Sequence, residues 1–166
     1  SEKGITRVGE TNSALAGDAD LKNQKSHHAT ILVKNYEGLK NLYHLVSASC
    51  MDHFYKRPVM PKSLINRYRE GLLVGSACEA GELFTAILEN RPESEIEEIV
   101  NFYDYLEIQP ICNNRFLIAE GKVADDDALR EINRKIYELG RKIGKPVIFL
   151  QISKHPFPPY VSYLPF

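Results

Sequence analysis

The sequence has few cysteines, and their spacing matches neither a disulfide framework nor a structural zinc site. Its three cysteines, Cys50, Cys78 and Cys112, are far apart, odd in number and without a Cys-x-x-Cys step. This usage argues against a disulfide scaffold or a zinc ribbon and is typical of a reducing cytosol. We therefore expect a cytoplasmic protein.

Long apolar runs and an excess of one charge sign are also missing. No run approaches the roughly 20 apolar residues of a membrane helix, and the first residues, SEKGITRVGE, lack the apolar core of a signal peptide. The 21 basic and 22 acidic side chains nearly balance. This balance argues against a nucleic-acid arm or a polybasic membrane anchor. Because the chain begins without Met, we expect an excised piece or a truncated gene product.

Several catalytic and phosphate-binding motifs are absent. The sequence contains no GxGxxG, no GxxxxGKS/T, no GxSxG and no HExxH. The sequence therefore gives no positive support for a nucleotide-binding loop or for a serine hydrolase.

The residues that are present alternate between two periodicities. A chain of 166 residues with 43% hydrophobic composition can bury its own core, so we expect one domain or most of one. Residues 1–26 are polar and broken by glycines, which predicts a short helix at most and then a linker. Beyond them, apolar runs predict strands at 29–33, 71–77, 104–111 and 146–151, and helical spacing predicts helices at 37–49, 62–69, 81–89, 93–103 and 125–144.

The helix at 125–144 has the clearest signals. Aspartates lie at its start and Gly144 follows its last turn, as in a helix with both ends marked. Its apolar residues follow a spacing of 3, 4, 3 and 4: Leu129, Ile132, Ile136, Leu139 and Ile143.

Strands that alternate with helices predict an α/β fold. Four strands in a βαβαβαβ order form a parallel sheet under the right-handed crossover rule. Periodicity leaves open whether the sheet is open or part of a barrel. In both cases functional side chains collect at the carboxyl ends of the strands, and Cys78 follows one of these ends.

Taken singly, the polar candidates each have a structural and a functional reading. Cys78 is either a small buried hydrophobe or a metal ligand. The pair His27 and His28, just before the strand at 29–33, is either a solvated turn or a metal-binding pair. Glu107 and Gln109 share one strand face, and if that face is interior they need a partner or a metal.

A basic and aromatic stretch lies at residues 53–70. It either contacts a phosphate backbone or forms a solvated loop and helix face. Its basic residues are Lys56, Arg57, Lys62, Arg67 and Arg69, and its aromatic residues include Phe54, Tyr55 and Tyr68.

Four segments together resemble one known family. They are HHATILVKNYEGLKNLYHLVS, HFYKRPVMPKSLINRYREGLLVGSACEAGELF, FYDYLEIQP and LREINRKIYELGRKIGKPV, in this order and spacing. They closely resemble the later part of the PHP domain in the PolC-type, Gram-positive DNA polymerase III alpha subunit, after the point where that family inserts an exonuclease. The resemblance covers roughly residues 3–148, and even the opening GITRVGETNSAL resembles the family's exit from the insert.

The resemblance implies a fold and a metal site. The fold is part of a distorted (β/α)7 barrel of parallel βαβ units, whose complete form holds divalent metal ions such as zinc, manganese or magnesium. The family's histidine before the TxLxKN-like strand falls on His28, and the cysteine of its GSxC step falls on Cys78. No ligand role passes to Glu107 or Gln109.

The departures from the family imply an incomplete site. The family's early HxH, TDH and GLE motifs are absent, and IFLQISKHPFPPYVSYLPF stands where the family continues with a TGxVH-like strand end. We therefore expect two ligands without the rest of the cluster. The expected organisation is a linker at 1–26, a partial PHP domain at 27–151 and a divergent Pro- and aromatic-rich tail at 152–166.

The resemblance implies a fragment of a replicative DNA polymerase. The parent would extend primer-template DNA with deoxynucleotides, proofread in the 3'-5' direction and contact other replisome subunits, without a membrane partner. The chain alone is expected to be inactive and, with its open strand edges, to self-associate or fold marginally. Two alternatives stay open: a stand-alone protein-interaction module that uses the tail, and a remnant metal-dependent phosphoesterase.

Overall fold

The computed structural model of the chain describes residues 5–9, 25–52, 54–55 and 57–150, with the backbone alone for 5–9, 54–55 and 57. The chain divides into two compact units, Ser1–Gly75 and Ser76–Phe166. The elements of the first unit are β1 (Ile5–Gly9), β2 (Ser26–Val33), α1 (Tyr36–Met51), β3 (Phe54–Tyr55), β4 (Arg57–Pro58), β5 (Met60–Pro61), α2 (Lys62–Arg67) and β6 (Leu72–Gly75). Those of the second unit are α3 (Glu82–Leu88), α4 (Glu93–Phe102), β7 (Leu106–Ile108), α5 (Ile111–Asn114), α6 (Phe116–Ala119), α7 (Asp126–Ile143) and β8 (Val147–Phe149).

The first unit contains a four-stranded sheet with the order β5, β1, β2, β6. β1 lies antiparallel to β2, and β5 lies parallel to β1. β2 lies antiparallel to β6, with Val33 opposite Leu72 and Thr30 opposite Gly75. Leu45 of α1 is fully buried within this unit, so the first long helix supplies apolar side chains to its core.

The predicted parallel arrangement is wrong for β2 and β6, which run antiparallel. Two helices and the short strands β3, β4 and β5 separate them, whereas a parallel pair is usually joined by one crossover helix. This connection returns the chain to the end of β2 that it left, because Lys34 N donates a hydrogen bond to Gly71 O at 2.9 Å. The close approach needs two glycines, since a Cβ atom on Gly38 would lie 1.9 Å from Gly71 O.

The expectation of at most a short helix within residues 1–26 is wrong at Ile5–Gly9, which form a strand. Ile, Thr and Val are frequent in this segment, and β-branched residues favour strands. Pairing with β1 also means that β2 begins at Ser26, three residues before the predicted start. His27 and His28 therefore lie within a strand and not at a loop-to-strand junction.

The helices of the second unit confirm the sequence patterns. α3, α4 and α7 lie within one residue of the predicted bounds at both ends. The Asp125 carboxylate accepts a hydrogen bond from Ala128 N at 2.8 Å and caps α7, and Gly144 ends it with a φ of 76°. Four of the five residues with 3, 4 spacing are buried: Leu129, Ile132, Ile136 and Leu139.

β7 and β8 form a parallel pair, as predicted for strands joined through helices. Glu107 lies opposite Ile148 in this pair, and Leu150 N extends the pairing by donating to Ile108 O at 2.9 Å. β7 is shorter than the predicted strand at 104–111 because Pro110 leads directly into the short helix α5. The sequence patterns did not predict α5 or α6.

The described part of the chain is a mixed α/β structure. Its strands form the four-stranded sheet and two pairs, β3 with β4 and β7 with β8. Residues 5–9, 25–52, 54–55 and 57–150 do not close a barrel. Among these residues, no helix combines the length and the hydropathy needed to cross a membrane.

Candidate functional site

Cys78 lies in a tight loop between β6 and α3. The preceding residue, Ala77, has a φ of 58°, and the left-handed region is costly for a residue with a Cβ atom. Gly81 N donates to Cys78 O at 2.8 Å, and a Cβ atom on Gly81 would lie 2.2 Å from Ser76 O. The loop therefore constrains the backbone around Cys78, and only glycine fits at residue 81.

Two hydrogen bonds tie this loop to the β7 segment within the second unit. Ser76 N donates to Tyr105 O at 3.3 Å. The Ser76 hydroxyl accepts a bond from Glu107 N at 2.9 Å, and Ser76 is buried. Ser76 thus anchors the start of the loop that carries Cys78. The sequence patterns did not identify this serine, although it precedes Cys78 by only two residues.

Burial raises the pKa of the Cys78 thiol to about 11, from its ordinary value of 9.0. The largest cause is desolvation of the charged form, and the nearby Glu79 carboxylate adds to it. The backbone N–H of Ala80 acts in the opposite direction. Cys78 is therefore a neutral thiol at pH 7 as long as no cation stabilises the thiolate.

Glu107 and Gln109 are buried, with 4% and 8% of their surface exposed. Their common face is therefore interior, which is the condition under which the sequence pattern calls for a partner or a metal. Gln109 is also held through its backbone, because its carbonyl oxygen accepts a bond from Asn133 Nδ2 of α7 at 2.9 Å. The two side chains are buried polar groups on β7 and the residue after it, on the segment that Ser76 binds.

A second buried carboxyl group was missed by the sequence patterns. Glu82 is the first residue of α3 and is 4% exposed. It accepts a hydrogen bond from the Tyr103 hydroxyl, with 3.3 Å between the oxygens, and Tyr103 is fully buried. The sequence hint for this residue was an acid directly after Gly81 at a predicted helix start, where the helix dipole stabilises a carboxylate.

His28 lies on β2 in the first unit. It is half-buried and stands opposite Arg7 in the strand register, whereas His27 is almost fully buried at 2% exposure. Adjacent strand residues point to opposite faces. The two histidines are therefore not one metal-binding pair on the same face.

The described residues do not fit a complete metal site. Imidazole and thiolate are zinc ligands, but a zinc site needs three or four protein ligands. Within residues 25–52 and 58–150, where side chains are described, no group of three or more His, Cys, Asp or Glu is arranged to hold a metal ion. His28 and Cys78 stay predicted ligands that need further ligands from elsewhere.

Two further sequence predictions fall partly or wholly outside the described residues. The side chains of residues 53–57 in the basic stretch are not described, whereas Arg67 and Tyr68 are, with the Arg67 guanidinium 5.6 Å from the Tyr68 ring centre. The tail at 152–166, on which the interaction-module alternative depends, lies outside the described part.

The chain belongs to the PHP domain family. The family pattern described as "PHP domain" matches residues 8–110, which include β2, the Cys78 loop and β7. This match confirms the class of domain that the four sequence segments indicated.

Relatives in this family share about half of the residues with the chain. The DNA polymerase III PolC-type of Clostridium perfringens is 53% identical over 147 residues, which are 89% of this chain and 10% of the relative. That of Caldanaerobacter subterraneus subsp. tengcongensis is 52% identical over 148 residues, 89% of this chain and 11% of the relative. The Bacillus subtilis protein of the same description is 45% identical over 148 residues, again 89% of this chain and 10% of the relative. The chain therefore corresponds to a region of PolC-type DNA polymerase III and spans about a tenth of the length of these relatives.

Proposed function

We propose that the chain acts as the later part of the PHP domain in a PolC-type replicative DNA polymerase. The observation that carries the proposal is the identity of 53% and 52% to two such polymerases across 89% of the chain. For the whole protein we propose polymerisation and 3'-5' proofreading, in a cytoplasmic location. Its partners would be primer-template DNA, deoxynucleotides and other replisome subunits. This segment alone is proposed to carry out none of these reactions.

Within this domain we propose that His28 and Cys78 are two ligands of a divalent-metal cluster, with zinc, manganese or magnesium as the ion. The Cys78 loop supports a role beyond packing, because it combines a left-handed Ala77 with a hydrogen-bonded Ser76 anchor. Backbone strain of this kind is frequent at ligand sites. A bound cation would also release the thiol proton that burial retains.

The first prediction concerns metal content. The purified chain is expected to retain less than one equivalent of zinc or manganese after dialysis, since two ligands do not close a site. In the whole polymerase, Cys78→Ser and His28→Asn are each expected to lower zinc affinity of the PHP domain by at least about tenfold. Elemental analysis after dialysis against graded zinc buffers measures both.

A matched control separates ligand loss from general thiol loss. Cys112→Ser removes an exposed thiol and should leave the metal content unchanged. Stoichiometric zinc in the isolated chain would contradict the incomplete site, and an unchanged zinc affinity in Cys78→Ser would contradict the ligand role.

A further inference from the structure

The outer face of α1 carries exposed aromatic side chains next to a cation. Tyr36 and Tyr43 are 73% and 63% exposed, and their separation of seven residues places them on the same helix face. Lys40 lies between them, with its Nζ atom 5.2 Å from the centre of the Tyr36 ring. Because these two rings are mostly exposed to solvent, they contribute little to the core of this unit.

The aromatic row continues onto the end of α2. The His44 ring stacks on the Tyr68 ring with a centroid distance of 5.3 Å and an interplanar angle of 18°. Arg67 in turn lies over Tyr68. Asn41 Nδ2 donates to Glu70 O at 2.9 Å and holds the end of the α2 segment against α1.

Residues 25–75, which carry this face, contain more cations than acids although the whole chain is nearly neutral. Residues 25–75 contain eight Lys and Arg and only three Asp and Glu, whereas residues 76–150 contain nine Lys and Arg and fifteen Asp and Glu. One of the three acids, Glu37, lies beside the face and pairs with Lys40 at 3.1 Å. That pair is half-exposed, so a phosphate could compete for Lys40 at little cost.

We propose that this surface, the aromatic-cationic face made of Tyr36, Lys40, Tyr43, His44, Arg67 and Tyr68, binds single-stranded nucleic acid. The exposed Tyr36 and Tyr43 rings give stacking platforms for unpaired bases, the stacked His44 and Tyr68 rings extend the surface, and the cations track the phosphates. Double-stranded DNA keeps its bases stacked inside and should bind more weakly. The proposal goes beyond the metal role, uses none of its residues and is independent of it.

The test is fluorescence anisotropy of the full chain with a labelled 20-nucleotide oligo(dT) and with a 20-base-pair duplex. We expect saturable binding of the single strand at 50 mM NaCl and weaker binding of the duplex. Tyr43→Ala should weaken binding about fivefold or more. Lys40→Gln and Arg67→Gln should each reduce the slope of log affinity against log salt by roughly 0.7.

Matched controls lie in the acidic half of the chain. Tyr137→Ala and Arg134→Gln change an exposed ring and an exposed cation of α7 and should leave the affinity unchanged, with circular dichroism verifying the fold of every variant. The proposal is overturned if the single strand does not bind, or if the control variants weaken binding as much as Tyr43→Ala does. It is also overturned if the face forms a salt-independent dimer that Tyr43→Ala dissociates without any oligonucleotide binding, since the occupant would then be a second copy.

Discussion

Burial determines the chemistry of Cys78 in the absence of a cation. A thiol whose pKa is raised to about 11 has roughly a hundredfold less thiolate at pH 8 than one at 9.0, because each pKa unit is a factor of ten. The thiolate is both the nucleophile and the metal ligand. The same residue is therefore unreactive as a free thiol and suited to a site where a cation replaces its proton.

The second prediction concerns alkylation at pH 8. With iodoacetamide, Cys50 and Cys112 are expected to react first because both are exposed, and Cys78 should lag by at least about tenfold. Peptide mass spectrometry over a time course measures the three rates. The lag should shrink as the pH rises toward 11 and should vanish in guanidinium, and equal rates in the native chain would contradict the raised pKa.

Among the elements, α7 and the β2–β6 pair depend on different kinds of information. α7 is specified within its own residues by an Asp125 cap, an apolar stripe and Gly144. The β2–β6 pair depends on Gly38 and Gly71, which are distant in sequence and in contact in space. A local pattern could predict the first and could not predict the direction of the second.

The third prediction tests the close Gly38–Gly71 contact at the end of the connection between β2 and β6. Gly71 and Gly144 both have a positive φ, 71° and 76°, but a Cβ atom on Gly71 would lie 2.4 Å from Gly38 N, whereas nothing lies within 4 Å of one on Gly144. Gly144→Ala should cost about 1 kcal/mol for the backbone strain alone. Gly71→Ala should cost at least about 3 kcal/mol, because the close approach is also lost.

Urea unfolding followed by circular dichroism measures both free energies of unfolding. Gly144→Ala is the matched control for strain without steric overlap. Equal losses in the two variants would show that the Gly38–Gly71 approach does not hold the connection between β2 and β6.

At the scale of the whole molecule, the two units differ in charge and each contains short sheets. Residues 25–75 are mainly basic and residues 76–150 mainly acidic. β5 and β6 are the terminal strands of the four-stranded sheet, and a terminal strand can pair with another chain wherever its backbone groups lack a partner. The chain also spans about a tenth of the length of the relatives that it matches.

The fourth prediction follows from these terminal strands and opposite charges. The purified chain is expected to self-associate, with an average mass that rises with protein concentration and falls as salt is added. Sedimentation velocity at several concentrations and at 50 and 500 mM NaCl measures this. A monomer at every concentration, with a sharp unfolding transition at high temperature, would contradict the expectation.

Local sequence singled out polar candidates near the site but not their burial or their supporting contacts. Alternation with apolar residues left the direction of Glu107 and Gln109 open, and the folded structure buries both. Ser76 and the Glu82–Tyr103 bond were missed because their partners are 31 and 21 residues away. Periodic patterns do not record hydrogen bonds between residues so far apart in the sequence.

The sequence by itself determined the family, the α/β class and the helices whose caps and apolar stripes are local, because these depend on neighbouring residues or on a long matched string. The tertiary structure alone decided that β2 and β6 run antiparallel, that His27 and His28 are separate strand positions, and that burial keeps Cys78 protonated. Direction, register and desolvation all depend on which distant residues meet. Those contacts are properties of the folded chain and not of any short stretch within it.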